Sequence, residues 1–203
     1  MDFDKPGKDN YLLEKIMRKE IIEIIKESIK NIDSKYFKLE TTYEPNGIVR
    51  ERVFCYELYH QIRKYQDSNY VNLNNRITLN GEIDKRGNKN FEKSDRKNPD
   101  FVFHIPGQMK GNTSVIEVKG RLRNINWIIK DFNTLTLFVN KYNYLFGIFI
   151  LYNHSVGDLK IFLKRKHDEI LNHKVFKKID IISAVNEDNK VSFMETNLFE
   201  LLK

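Results

Sequence analysis

Cysteine is nearly absent from this chain of 203 residues, which has a single thiol at Cys55. One cysteine excludes an internal disulfide framework and a zinc site built from cysteines. The sequence also lacks a secretory signal pattern and any apolar run of about eighteen residues, the length that a membrane-spanning helix requires. These absences predict a cytoplasmic protein with no membrane partner.

Several catalytic signatures are missing as well. There is no glycine-rich loop of the kind that cradles nucleotide phosphates and no Gly-x-Ser-x-Gly motif, which argues against ATP-driven and serine-hydrolase chemistry. The five histidines are scattered, and no two have the spacing found on a metalloprotease helix.

Basic residues, in contrast, are in excess. The chain has 35 Lys and Arg against 28 Asp and Glu, which gives a formal net charge of +7 and an isoelectric point near 9.3. This balance favours a polyanionic partner such as nucleic acid, although the same excess also serves solubility. A hydrophobic content of 40% in a chain of this length is enough to bury a sizeable core in one domain.

The most informative features are two neighbouring apolar runs, residues 98–105 and 114–120. Each is typical of a β-strand, and the glycine-containing link between them predicts a hairpin with a longer loop. Successive side chains of a strand point to opposite faces, so Glu117 and Lys119 share one face of the second run. Antiparallel pairing of the two runs would bring Asp100 close to Glu117.

Two carboxylates beside one amine suit Mg²⁺, which prefers oxygen ligands and keeps several of its waters. The ion would polarise a phosphoryl oxygen, and Lys119 would stabilise charge that develops in the transition state. A competing interpretation makes Glu117 and Lys119 an outward-facing strand pair. Only the Glu117 pair lies inside an apolar run, although the same acidic-x-Lys spacing occurs at Asp33, Asp95, Asp158 and Asp188.

Pro99-Asp100 and the later Glu117-x-Lys119 resemble the two halves of the signature of the PD-(D/E)XK nucleases, the restriction-endonuclease-like superfamily. The resemblance extends over about residues 48–184. It implies a Mg²⁺-dependent deoxyribonuclease, in which Mn²⁺ can replace Mg²⁺. Asp100 and Glu117 are implied as metal ligands, and Lys119 as the positioning and charge-stabilising residue. By analogy the enzyme is an endonuclease of a restriction or defence system. The alternative is a non-catalytic nucleic-acid-binding or assembly subunit that retains the fold.

An amphipathic helix is predicted over residues 49–65, before these strands. Members of the family often carry a glutamate on this helix that reaches the metal site, and Glu57 is the match by position, as a further catalytic residue and metal ligand. Glu57 lies at the edge of the apolar stripe, so it can equally be a solvated carboxylate paired with Lys64 or Arg63. Glu51, nearer the start of the helix, is explained by the helix dipole.

Further charged residues flank the motif. Residues 76–85 are predicted as the first strand of the sheet, where Glu82 and Asp84 share a face and either join the acidic cluster or form an outward polar face. The loop that follows is basic and either contacts phosphates or is merely solvated. If the strand continues past Lys119, its alternation places two arginines beside the site. The predicted nucleic-acid-binding residues are Lys85, Arg86, Arg96, Lys97, Arg121 and Arg123.

Beyond the motif, the patterns predict helices over residues 126–142 and 157–173 and strands over 145–152 and 179–185. The expected fold is therefore α/β, with a mixed central β-sheet flanked by helices. This order of elements is also what the resemblance implies for a restriction-endonuclease-like core.

The N-terminal part is expected to form a helical extension. Residues 1–46 are predicted as one long amphipathic helix and a connector, followed by the nuclease-like domain at residues 47–203. The apolar stripe of the helix either packs on the core or makes a dimer. A homodimer or larger defence complex is expected, because cleavage of two strands ordinarily needs two sites.

Overall fold

The fold is a mixed α/β sandwich in the computed structural model, which describes residues 8–68, 77–81, 92–108, 111–164 and 178–203. A short 3-10 turn spans Lys93–Asp95. In chain order, the described helices and strands are α1 (Lys8–Lys30), α2 (Ser34–Phe37), β1 (Leu39–Thr41), β2 (Glu44–Ile48), α3 (Glu51–Ser68), β3 (Thr78–Gly81), β4 (Phe101–His104), β5 (Ser114–Lys119), α4 (Ile125–Lys141), β6 (Phe146–Tyr152), α5 (Val156–Leu163), β7 (Ile179–Glu187), β8 (Lys190–Asn197) and α6 (Leu198–Leu202).

Within the described residues, six strands form the central sheet in the order β3-β4-β5-β6-β7-β8. The first three are antiparallel to one another, β5, β6 and β7 are parallel, and β8 is antiparallel to β7. A parallel neighbour needs a crossover, and α4 supplies it between β5 and β6. The structure thus confirms the α/β class and the mixed sheet flanked by helices.

The two faces of the sheet bury separate apolar clusters, as alternation along β4 and β5 predicts. Phe101, Phe103, Ile116 and Val118 face α1 and α3. Their neighbours Val102 and Val115 instead join the side chains of α4, α5 and α6 on the other face. All of β6 is buried, which confirms the doubly covered strand predicted from its continuous apolar run.

Helix α1 packs its apolar stripe on the core. Its buried residues, which include Ile21, Ile25 and Ile29, belong to the same cluster as the inner residues of α3 and β5. Arg18 of α1 also binds the carboxylate of Asp180 in β7 with two nitrogens. The stripe is therefore used within one chain.

Three parts of the chain differ from the sequence-based expectation. The predicted connector contains α2 and the antiparallel β1–β2 hairpin. Strand β8 and helix α6 were not predicted, because the residues of β8 are mostly polar and partly exposed, as befits the edge of the sheet. The predicted helix over residues 157–173 begins with α5, and its part beyond residue 164 lies outside the described residues.

None of the helices in the described part of the chain combines the length and apolarity that a bilayer crossing requires. The longest, α1, carries charged side chains on the face opposite its apolar stripe. That pattern is typical of a helix lying on a protein core.

Replacing Arg18 by alanine should lower the free energy of unfolding by roughly 2–4 kcal/mol, because it leaves the carboxylate of Asp180 buried without its partner. The side chain of Asp180 is only 13% exposed. Urea denaturation measures the change. The matched control is Lys19→Ala, an exposed residue on the same helix, which should change stability little. Equal effects of the two substitutions would contradict the anchoring role of Arg18.

Candidate active site

The residues that the sequence motif singled out lie at one end of the central strands. Strand β5 ends at Lys119, its parallel neighbour β6 ends at Tyr152, and β4 begins next to Asp100. Helix α3 starts at the same end of the strands with Glu51, which contacts Lys119. In open α/β sheets, ligands bind at the carboxyl ends of the strands, so a site is expected at this end of β5 and β6.

Asp100 and Glu117 are brought together by the pairing of β4 with β5. The antiparallel register sets Phe101 opposite Ile116. The backbone N–H of Val118 donates to Oδ2 of Asp100 at 2.7 Å. The two carboxyl groups also share a hydrogen bond. The predicted convergence of Asp100 on Glu117 is confirmed.

Glu117 is buried and Asp100 is half-buried, and burial dominates the protonation of this carboxyl pair. Burial raises the pKa of Asp100 to about 6, against the opposing effect of the Val118 amide. Glu117 is 7% exposed, and burial, together with the charges of Asp100 and Asp131, raises its pKa well above the usual range. Two adjacent carboxyl groups out of water cannot both ionise cheaply. At neutral pH the pair therefore retains a proton unless a cation neutralises it.

The ammonium group of Lys119 lies between two other carboxylates. Its Nζ is 3.0 Å from Oε1 of Glu51 and 3.0 Å from Oδ2 of Asp131. Burial opposes the charged form, but these two carboxylates outweigh it and raise the pKa of Lys119 above its usual value. Lys119 is thus held protonated and in a fixed direction next to the Asp100–Glu117 pair.

Asp131 is a site residue that the sequence analysis missed. It lies in α4, is 7% exposed, and burial raises its pKa although Lys119 opposes the shift. A signal was present in the sequence, because Asp131 stands beside Phe132 and three residues after Ile128, within the apolar stripe of the helix. A carboxylate on such a stripe needs a buried partner.

Glu51 has a larger role than the helix dipole alone provides. Besides its contact with Lys119, its Oε2 accepts a hydrogen bond from the backbone N–H of Gly120 at 3.3 Å. The first residue of α3 therefore ties that helix to the end of β5. Sequence alone gave no reason to pair it with Lys119, which is 68 positions away.

Glu57 is not brought to this cluster. It is half-buried, and its Oε1 accepts a hydrogen bond from Nε2 of Gln61 at 2.6 Å. At 100° per residue, positions six apart on a helix point in different directions, so Glu51 and Glu57 cannot both face Lys119. The structure thus places Glu51 at the end of β5, where the sequence analysis had expected Glu57.

Strand alternation does not place Arg121 and Arg123 on the face of Lys119. Strand β5 ends at Lys119, and residues 121–124 have no regular structure, so strand alternation does not extend to them. Arg121 is half-buried and its charge acts on Tyr152, whereas Arg123 is exposed.

The other predicted basic and acidic residues fall into two groups. Arg96 is half-buried and Lys97 is exposed, directly after the 3-10 turn and before the strand that Asp100 precedes. Lys97 lines a shallow groove on α4 together with Lys130. The remaining residues lie outside the described part of the chain: Glu82, Asp84, Lys85 and Arg86.

A cavity of about 660 Å³ opens beside Asp100 on the α3 side of the sheet. Its lining combines two tyrosines with charged and polar groups. The residues are Glu51, Arg52, Cys55, Tyr56, Tyr59, Asn80, Gly81, Asp100 and Phe101. A ligand in this cavity would touch the candidate site directly.

Gly120, directly after Lys119, has no room for a side chain. A Cβ atom there would lie 2.2 Å from Cζ of Tyr152. The ring of Tyr152 is fully buried and stacks on Phe54, with centroids 3.9 Å apart and planes at 5°. This contact fixes the chain directly after Lys119, at the end of β5.

The donor set fits a hard cation through its two buried carboxyl groups. Across the described residues, no group of three or more Asp, Glu, His and Cys side chains is arranged to hold a metal ion. Mg²⁺ needs fewer protein ligands than that, because it keeps several waters and is commonly held by one or two carboxylates. A divalent ion would also replace the proton that the Asp100–Glu117 pair otherwise retains.

Comparison of the chain with models of protein families, with curated protein sequences and with solved structures found no match. The chemistry of the site therefore has to be inferred from its own geometry. Three properties matter most: a buried carboxyl pair, a cation two residues further along β5, and an open cavity beside them.

The metal-free protein should lose stability as the pH rises, relative to a Glu117→Gln variant. The raised pKa values mean that the folded chain holds these protons more tightly than the unfolded chain. For Asp100 the stabilising contribution is complete below pH 3.8 and is lost as the pH passes about 6. Glutamine at position 117 removes the like charge, so the variant should be more stable at pH 8 by roughly 1–3 kcal/mol. Thermal melts of the wild type and Glu117→Gln in chelator, from pH 4 to 8, measure this difference in stability.

The control for this series is Glu187→Gln, an exposed glutamate at the end of β7. Its stability should follow the wild type at every pH. Added Mg²⁺ should raise the melting temperature of the wild type at pH 8 but not that of Glu117→Gln. A pH-independent difference between Glu117→Gln and wild type would contradict a buried, charge-coupled pair.

Substituting Gly120 by alanine should lower the free energy of unfolding by roughly 2–3 kcal/mol, because the new methyl group overlaps the fixed ring of Tyr152. Gly157→Ala is the matched control. In α5 the nearest atom to its Cβ would be 3.5 Å away, so alanine should be neutral or stabilise by up to about 1 kcal/mol. Chemical denaturation compares the two variants, and equal stability would contradict the tight contact.

Proposed function

We propose that the protein is a metal-dependent nuclease that hydrolyses phosphodiester bonds of DNA. The observation that carries the proposal is the buried Asp100–Glu117 carboxyl pair, formed by two adjacent strands, with Lys119 two residues further along β5. A protein that only bound nucleic acid would gain nothing from paired carboxylates next to its phosphate surface, because they repel phosphate.

The order of elements around the site supports the same proposal. Helix α3, the antiparallel strands β3, β4 and β5, helix α4 and the parallel strand β6 follow one another along the chain. This is the succession that the resemblance to PD-(D/E)XK nucleases implies. The aspartate directly precedes the second of those strands, and the glutamate-x-lysine lies on the third.

Asp100 and Glu117 are the residues that would hold Mg²⁺ or Mn²⁺. A bound ion supplies Lewis-acid polarisation of a phosphoryl oxygen and a water of lowered pKa. The carboxyl oxygens are fixed in place by the Val118 amide and by the hydrogen bond that they share. Partial burial strengthens their interaction with a cation.

Lys119 is the electrostatic partner in this chemistry. Its ammonium stays protonated and is oriented by Glu51 and Asp131. A fixed cation next to the scissile phosphate stabilises the negative charge that develops in the transition state. In this scheme Glu51 and Asp131 do not contact the scissile phosphate; they position Lys119.

A second candidate is a non-catalytic subunit that retains the fold and binds nucleic acid. One observation favours it: Lys119 is already paired with two carboxylates, so its charge is balanced within the protein. In that case the cluster serves only to join α3, β5 and α4. Cleavage assays separate the two candidates.

The cellular setting is inferred by analogy. We place the nuclease in the cytoplasm as an endonuclease of a restriction or defence system, and the net charge of +7 favours its DNA substrate. Where the substrate is a duplex cut on both strands, cleavage ordinarily requires two sites, and the active form is then a homodimer or part of a larger defence complex.

The wild-type protein should cleave DNA in Mg²⁺ or Mn²⁺ and not in chelator. Plasmid, linear duplex and single-stranded DNA, together with RNA, are offered as substrates. Lys119→Ala removes the transition-state cation and should slow cleavage roughly 100-fold or more. Asp100→Asn and Glu117→Gln should abolish metal-dependent cutting, because each removes a carboxylate ligand while preserving side-chain shape.

Lys160→Ala, an exposed lysine on α5, is the matched control and should cleave like the wild type. Circular dichroism and melting temperature show whether each variant is folded. Metal-dependent cutting that survives in folded Asp100→Asn would place the chemistry elsewhere. Nucleic-acid binding without cutting by any form would support the non-catalytic subunit.

A further inference from the structure

Tyr56 is an exposed aromatic side chain beside the candidate site. Its side chain is 64% exposed, although it stands on α3 next to the buried Cys55 and one turn before Tyr59. Tyr56 lines the cavity that also contains Asp100. A ring left largely in water adds little to the fold, but its face is open to a ligand in the cavity.

The inner wall of the same cavity is also aromatic. Tyr59 lies against Phe101 of β4, with ring centroids 6.4 Å apart and planes at 22°. Phe101 directly follows Asp100, so this stacked pair fixes the distance between the cavity and the carboxyl pair. Asp100 lines the same cavity, so a base bound there and a phosphate at Asp100 would belong to the same nucleotide or to neighbouring ones.

The size and lining of the cavity suit a flat, polar aromatic ring. A volume of about 660 Å³ falls in the range of roughly 300–1,000 Å³ typical of small-molecule sites. The lining offers ring faces for stacking, and Arg52 adds a cation at the rim. Seven residues after Tyr56, two helical turns along the same side, Arg63 is exposed and adds a second cation to this side of α3.

We propose that this cavity receives an unpaired nucleobase of the substrate strand, stacked on Tyr56. The inference rests on the proposed nuclease function and specifies its substrate class as strands with an unpaired base next to the scissile phosphate, such as single strands, frayed ends and flaps. Bases inside a duplex have both faces covered by their neighbours, so they cannot stack on a protein ring without leaving the helix. Stacking is tolerant of base identity, so the selectivity is for strandedness.

Binding measured without cleavage tests this inference. Fluorescence anisotropy in chelator gives dissociation constants for a labelled single-stranded DNA oligonucleotide and for the corresponding duplex. Tyr56→Ala should weaken single-strand binding roughly 5- to 100-fold, the range found when a stacking aromatic is removed. Duplex binding should change less than about twofold, because phosphate contacts dominate it.

Two variants serve as controls. Tyr56→Phe keeps the stacking ring and should bind the single strand within about threefold of wild type. Tyr43→Ala removes another tyrosine, 93% exposed in the turn between β1 and β2, and should bind both DNAs like the wild type. The melting temperature of each variant confirms that it is folded.

The outcomes separate this inference from the proposed function. Unchanged single-strand affinity in Tyr56→Ala, or an equal loss for single strand and duplex, would overturn the nucleobase site even if the protein cuts DNA. A selective loss in Tyr56→Ala and retention in Tyr56→Phe would support it. If that selective loss occurs in a protein that never cleaves DNA, the nucleobase site stands and the proposed catalysis fails.

Discussion

The salt bridges of Lys119 hold the site together, because this one ammonium group joins both layers of helices to the sheet. Glu51 comes from α3 on one face, Asp131 from α4 on the other, and Lys119 itself from β5 between them. Buried ion pairs rarely stabilise a fold by themselves, since desolvation offsets most of the attraction. In the proposed nuclease, their part is to hold the Lys119 cation in place for the reaction.

The carboxyl pair next to Lys119 presents the opposite electrostatic situation. Asp100 and Glu117 lie side by side, and burial is the main cause of their raised pKa values, with the charge of Asp100 adding to the shift at Glu117. A fold selected for stability alone would place apolar residues at these two positions, as it does at Val102 and Val115 on the same face. A proton or a divalent cation would relieve this unfavourable pairing, and in the proposed nuclease the cation would also supply the chemistry.

Much of the framework around this site could be predicted because it follows from local patterns. The alternation of apolar residues in β4 and β5, with a glycine-containing link between them, predicted a hairpin and hence the meeting of Asp100 with Glu117. The uninterrupted apolar run of β6 predicted a strand covered on both faces. Strand β8 was missed because an edge strand needs little apolar surface, and its polar residues look like a loop.

The helical residues of the site were harder to predict than the strand residues. A helix offers several directions per turn, so the choice between Glu51 and Glu57 depends on how α3 is rotated against the sheet, which no local pattern records. Alternation along β5 failed for Arg121 because the strand ends where Gly120 meets the ring of Tyr152. In both cases a contact between residues far apart in the chain determined which residue lies at the site.

The sequence by itself determined the α/β class, the faces of the central strands and the pairing of Asp100 with Glu117, because each depends on side-chain periodicity over a few residues. Only the tertiary structure decided that Glu51 and Asp131 enclose Lys119, that α1 packs on the core, and that an aromatic cavity lies beside Asp100. Those features depend on the rotation and approach of whole helices, which are set by packing across the entire core.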